Sequence, residues 1–222
     1  MKTLFTLSAL AATAGLASGA AILSPGDTII GGQVVGGEFV VGAEGLTGGV
    51  NNWPGAEPPA DLINGLIGGG GEKYLNFAKT NTGALVTPSG PASIVQAIQF
   101  WVANDAPERD PSGYELWGTN SDVSGGGPFS IGDFTPISVG GLSLPDERDT
   151  TTDTEGFSQF VNFANGTAYS SYLLVFPDVK NNAAANSMQI SEVQFYDAPI
   201  PEPSAALLAV LGLAPLLMRR RR

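Results

Sequence analysis

Runs of glycine break this chain into short pieces. They stand at Gly31-Gly32, Gly36-Gly37, Gly48-Gly49, Gly68 to Gly71, Gly125 to Gly127 and Gly140-Gly141. A glycine inside a helix costs about 1 kcal/mol relative to alanine, and at φ > 0 it favours a turn. No long stretch of the body keeps a 3.6-residue apolar period. Between the glycines lie short β-branched and aromatic runs, bounded by Pro, Asn, Asp and Ser. That pattern predicts an all-β domain, a sandwich or barrel of short strands. Strands are expected over 28–35, 38–42, 73–78, 94–103, 113–118, 134–139, 157–163, 169–177 and 187–197. The glycine-rich stretch before residue 60 reads as an opening hairpin followed by a long loop.

Alternation within the strands says which faces are covered. Ile94, Ile98, Phe100 and Val102 share one parity and can face a core. Around Leu173 the apolar residues occupy both parities (Tyr172, Leu174 and Phe176 against Leu173 and Val175), which suits a strand covered on both sides. The last strand changes apolar parity between Ile190 and Val193, so a β-bulge is expected near Ser191–Glu192.

The two ends read as addresses. Residues 1–21 carry Lys2, an apolar run from Leu4 to Leu16, and small residues before Ala20 and Ala21. This is the pattern of a secretory signal peptide cut by signal peptidase after Ala20 or Ala21. The last segment, 199–222, begins with Pro201-Glu202-Pro203, continues as an apolar run from Ala205 to Met218, and ends in Arg219, Arg220, Arg221 and Arg222. At ~1.5 Å per residue the run covers ~21 Å of a ~30 Å hydrocarbon core, a marginal transmembrane anchor with its arginines on the cytoplasmic side. The order of these three parts resembles the PEP-CTERM sorting signal of Gram-negative bacteria. The resemblance implies recognition by an exosortase and cleavage near Pro201–Pro203. It also implies transient anchoring in the inner membrane, then release or attachment at the cell surface, in bacteria that build exopolysaccharide and biofilm. An ordinary C-terminal tail anchor is the plainer reading.

The domain between these segments, 22–198, is strongly acidic. The chain carries a formal net charge of −11. Without Lys2 and the four terminal arginines, five basic residues face twenty-one acidic ones. Such a surface repels phosphate backbones, which excludes nucleic acid as a partner, and it attracts cations. The chain has no Cys and no His. That excludes thiol nucleophiles, disulfides, imidazole bases and histidine-ligated metals. Catalysis would have to rest on carboxylates, and no pair is marked out for it. The acidic run Asp146 to Glu155 lacks the spacing of an EF-hand loop and reads as a solvated loop.

The segment Asn104 to Pro111 is a candidate ligand loop. Asp105 and Arg109 could hydrogen-bond sugar hydroxyls, and Trp101 or Trp117 could supply a stacking face. The structural alternative pairs Arg109 with Asp105 or Asp110 to pin a turn, with Tyr114, Leu116 and Trp117 as core.

Three segments together resemble the discoidin, or coagulation-factor type C, domain. They are Leu62-Ile63-Asn64-Gly65 leading to Glu72-Lys73-Tyr74, then Asn104-Asp105 through Arg109-Asp110-Pro111 to Tyr114-Glu115-Leu116-Trp117-Gly118-Thr119-Asn120, and the closing Ile190-Ser191-Glu192-Val193-Gln194-Phe195-Tyr196. The resemblance implies an antiparallel jelly-roll β-sandwich of the galactose-binding-like kind. It also implies a structural Ca²⁺ held by Asn64, Gly65, the Lys73 carbonyl and Glu192. Asn64 departs from the usual Asp, and Gly68 to Gly71 replace a polar loop. The function that follows is a non-catalytic carbohydrate-binding or adhesion module of the bacterial surface, with extracellular polysaccharide as partner. The alternatives are a purely structural matrix protein and, further off, a carboxylate-based polysaccharide hydrolase.

Overall fold

A computed structural model describes residues 19–201, apart from 149 and 153–155. The leader up to Ser18, the sorting segment from Glu202 through Arg222, and Asp149, Asp153 and Glu155 lie outside the described residues. Within them no helix is long and apolar enough to cross a membrane.

The strands are β1 (Thr28–Val35), β2 (Glu38–Val41), β3 (Ala43–Glu44), β4 (Asn52–Trp53), β5 (Tyr74–Asn76), β6 (Thr82–Thr87) and β7 (Ala97–Trp101). They continue as β8 (Gly113–Thr119), β9 (Phe129–Ser130), β10 (Thr135–Gly141), β11 (Ser158–Asn162), β12 (Ser171–Phe176), β13 (Met188–Ile190) and β14 (Glu192–Tyr196). A seven-stranded sheet runs β10-β8-β12-β6-β1-β2-β9, and a three-stranded sheet runs β11-β7-β14. Every pairing in both is antiparallel. β13 pairs with β5, and β3 with β4 in the only parallel pairing described.

The main core lies between the two sheets. Ala84, Val86, Tyr114, Leu116, Tyr172, Leu174 and Phe176 meet Ile98, Phe100, Val193 and Phe195. Full burial of each large side chain contributes roughly 1.5–3 kcal/mol. Val95 joins this core, whereas Ile94 is only half-buried. The expected parity therefore holds from Ile98 onward, because the regular strand begins at Ala97.

The expected opening hairpin is β1–β2. Its turn is Gly36-Gly37, at φ 62° and 86°, the left-handed pair that a two-residue hairpin needs. The closing strand breaks at Ser191 into β13 and β14, where the parity change called for a bulge.

β6 was not expected. It lies centrally, between β1 and β12, yet its sequence Thr-Gly-Ala-Leu-Val-Thr is poor in strand formers at its start. Gly83 is required there, because a Cβ would sit 2.0 Å from the Leu174 carbonyl oxygen.

The seven-stranded sheet is covered on its other face too. Phe39, Leu85, Phe134, Leu173 and Val175 form a second core, with Trp117, Val123, Phe129 and Ile131 packed against it. β9 and β10 sit on opposite edges of this sheet but are joined only by the 3₁₀ turn Ile131–Asp133 and Phe134. Seven flat strands would separate those edges by roughly 29 Å, and five residue steps reach at most about 18 Å. The sheet must therefore curl, and the second core lies on its concave face.

Residues 20–23 add a short strap along β14. The Ile22 N–H donates to the Phe195 carbonyl at 2.8 Å, and the Ala20 N–H to the Asp197 carboxylate at 2.6 Å. Ile200 exchanges two hydrogen bonds with the Asn162 side chain. The Ala20 and Ala21 of the expected cleavage site are thus bonded to the folded body.

Candidate functional site

Two polar clusters lie under the loops that carry the sequence candidates. The first forms around Lys73, which is only 3% exposed although it is an ammonium. Its Nζ donates to Asn104 Oδ1 and Asp105 Oδ1, both at 2.9 Å, and lies 3.5 Å from Glu57. A buried ammonium is costly without such partners. Partial burial raises the Asp105 carboxyl, but the Lys73 hydrogen bond and charge outweigh it and hold Asp105 below the ordinary range. Arg109 approaches the other Asp105 oxygen at 3.9 Å. The Gln189 amide donates to the carbonyls of Asp105 and Ala106, and Ala106 takes a left-handed φ of 43°.

Next in the chain, Asp110 is fully buried and accepts from Arg148 at 2.6 Å and Lys180 at 3.1 Å. This ion triad ties three loops together. The sequence pairs Arg109 with Asp105 or Asp110. The structure gives Asp105 to Lys73 and Arg109, and Asp110 to cations 38 and 70 residues away.

The second cluster surrounds Glu192, which is 5% exposed. Its Oε2 accepts the Gly65 N–H at 3.2 Å. Burial pushes its carboxyl up to about 8, against the pull of the Gly65 and Asn64 backbone N–H groups and with a further push from Asp61. The Asn64 amide donates to Asp61 at 3.2 Å and to Glu72 at 3.0 Å. Burial, then the Glu72 charge, lift Asp61 to about 6. No cationic side chain bonds Glu192 among the described residues. Asn64, Gly65 and Glu192 are therefore brought together, while the Lys73 side chain turns to the other cluster. Among the described residues no three acidic groups form a ready cage for a metal. A cation here would depend on Glu192 plus amide and carbonyl oxygens, a donor set that suits Ca²⁺.

The two candidate tryptophans, of three in the chain, part company. Trp101 is half-buried in β7, pairing with Ser158 and Glu192. Trp117 belongs to the other sheet, pairs with Pro136 and Leu173, and packs against the second core. It makes no hydrogen bond or ring contact with the Asn104–Pro111 loop among the described residues. Parity could have shown this: Tyr114 and Leu116 face the main core, so Glu115 and Trp117 face away. A pocket of about 370 Å³ opens beside Trp117, lined by Glu115, Pro136, Ile137, Ser138 and Val139.

The architecture has counterparts among solved structures. The family 32 carbohydrate-binding module of Streptococcus pneumoniae EndoD superposes with a TM-score of 0.50 at 11% identity, over 80% of this chain and 99% of that one. A structure from the S. pneumoniae β-galactosidase BgaA gives 0.50 at 14% identity, over 81% and 99%. The fold is the discoidin-like sandwich of family 32 carbohydrate-binding modules. A family 32 module of Clostridium perfringens NanJ, solved with galactose, gives a TM-score of 0.49 at 13% identity, over 79% of this chain and 97% of that one. No protein-family model matches the sequence, and no curated protein does either.

Proposed function

We propose that this protein is an exported, non-catalytic carbohydrate-binding module of the bacterial surface. The observation that carries the reading is the fold, shared with a family 32 module over nearly that module's whole length. Fold alone does not fix function, so the reading also draws on the two ends. In it the leader is removed by signal peptidase near Ala20–Ala21. The segment from Pro201 is processed by an exosortase, and the domain remains at the cell surface or in the extracellular matrix.

A structural Ca²⁺ belongs to this proposal. Asn64, Gly65, the Lys73 carbonyl and Glu192 would hold it, and the ion would neutralise a buried carboxylate that otherwise has only N–H donors. What supports it is the burial of Glu192 with no cationic partner among the described residues.

The test is binding of the full chain, in mild detergent, to an array of neutral and acidic glycans with Ca²⁺ present. Saturable binding that a heat-unfolded control lacks is the expected result. A blank array would refute the carbohydrate reading. One observation favours the second reading, a purely structural matrix protein: Asp105 and Arg109 already serve the Lys73 network. A blank array together with unchanged matrix incorporation would establish that alternative.

A further inference from the structure

Of the two stacking candidates, Trp101 ends β7 just before the Asn104–Pro111 loop, whereas Trp117 lies on the other sheet. On β8, Glu115 and Trp117 point away from the main core. Across the pairing to β10, Pro136 stands opposite Trp117 and Val139 opposite Glu115, with a register shift between Pro136 and Ser138. Pro136 is exposed and Val139 is 74% exposed. Leu46 and Val35 are also exposed, but here the apolar side chains line a groove beside an indole, which suits an occupant.

We propose that this groove is a saccharide subsite, with the Trp117 indole as stacking face and the Glu115 carboxylate as hydroxyl acceptor, taking a neutral hexose or N-acetylhexosamine unit. The proposal rests on the carbohydrate-binding reading above and gives it a place.

Three observations support it. First, Trp117 is fixed before any ligand arrives. Its inner side packs on the second core, and its Nε1–H donates to Glu115 Oε2 at 3.3 Å. A preordered aromatic loses little freedom on binding. Second, the groove combines a flat apolar surface, formed by Trp117, Pro136 and Val139, with one convergent acceptor. A sugar ring offers the complement, C–H groups on one face and hydroxyls at its rim. The second Glu115 oxygen has no partner among the described residues and can accept a hydroxyl. Third, no cationic side chain lines the groove. Glu115 would repel a uronic or sialic acid, so the site selects uncharged sugars. A second groove, around Thr28, Thr87 and Asn120 to Ser124, has hydroxyls but no aromatic face.

The experiment compares the full chain with Glu115→Gln and Trp117→Leu on the same glycan array, followed by titration with the free oligosaccharide bound best. Leucine keeps the inner packing of Trp117 and removes the ring face. The expected result is at least a tenfold weaker Kd for Glu115→Gln and loss of measurable binding for Trp117→Leu, with uronate-bearing glycans silent throughout. If the wild type binds while both folded variants stay within twofold of it, the groove proposal is overturned and the carbohydrate reading stands. A wild type that binds nothing overturns both. If the variants instead convert a dimer to a monomer in sedimentation, the strip joins two copies and the subsite is refuted. Should Trp117→Leu fail to fold, Glu115→Gln decides alone: an unchanged Kd rejects the proposal.

Discussion

Asp110 and Glu192 are both deeply buried carboxylates, and the fold treats them in opposite ways. Asp110 meets two cations, Arg148 and Lys180, drawn from two distant loops. Glu192 meets backbone N–H groups, with Asp61 adding to the charge around it. The first arrangement has its counter-charges and acts as a staple, although the second Asp110 oxygen is buried without a partner among the described residues. The second leaves a charge that a proton or a cation could neutralise. Burial alone therefore does not say what an acidic group is for; its partners do.

The comparison can be broken most forcefully at the staple. Asp110→Ala leaves the largely buried Arg148 without its anion and takes one of two from Lys180, which keeps Asp146 at 2.8 Å. Losing one side of such a group costs roughly 3–5 kcal/mol, so the unfolding midpoint should fall on the order of 10 °C. Thermal unfolding followed by circular dichroism reads this directly, and an unchanged midpoint would show that the triad does not hold the loops.

Glu192 should respond with the opposite sign. Its folded carboxyl titrates near 8, against an ordinary 4.5. A carboxyl raised on folding binds its proton more tightly in the native state. Stability is therefore highest below about 4.5 and is lost as pH rises towards 8. In EDTA at pH 8, Glu192→Gln should gain roughly 2–4 kcal/mol over the wild type, and the two should converge near pH 4.5. Urea titrations at several pH values test this; a gain that does not vary with pH would contradict it.

Calcium sharpens the same contrast. At ~100 times its Kd the ion should stabilise the wild type by roughly 2.7 kcal/mol and leave Glu192→Gln unmoved. Calorimetric scans with Ca²⁺ and then EDTA distinguish the two, and an equal shift in the variant would move the ion to another site.

The smallest effect lies in the stapled region. Ala106 holds φ 43°, a left-handed conformation that glycine adopts without strain. Ala106→Gly should gain about 0.5–1 kcal/mol in denaturant unfolding. A loss would mean that the methyl group packs usefully.

Local patterns were readable in the sequence, and contacts between distant loops were not. The β1 boundaries follow from its β-branched residues and from the Gly36-Gly37 turn. The Ser191 break follows from a change of parity. β6 escaped because Gly83 and Ala84 suit a tight tertiary contact and carry little strand propensity. Arg148 and Lys180 are unremarkable in their own segments, and only the folded chain brings them to Asp110. Trp117 stands apart from the Asn104–Pro111 loop for a different reason. It shares a sequence motif with Tyr114, whereas strand parity assigns the two residues to opposite faces.

The strap at the domain's ends has a mechanical consequence. Ala20 is bonded to Asp197, and Ile200 to Asn162, so the chain enters and leaves the sandwich at one corner. A pull on the chain beyond Pro201 would load the Ile200–Asn162 bonds first and the Ala20–Asp197 pair after them. Bonds loaded in sequence yield one at a time at low force, whereas strands sheared side by side resist together. A domain hung from its C-terminal end would release a few residues of slack before either sheet felt tension.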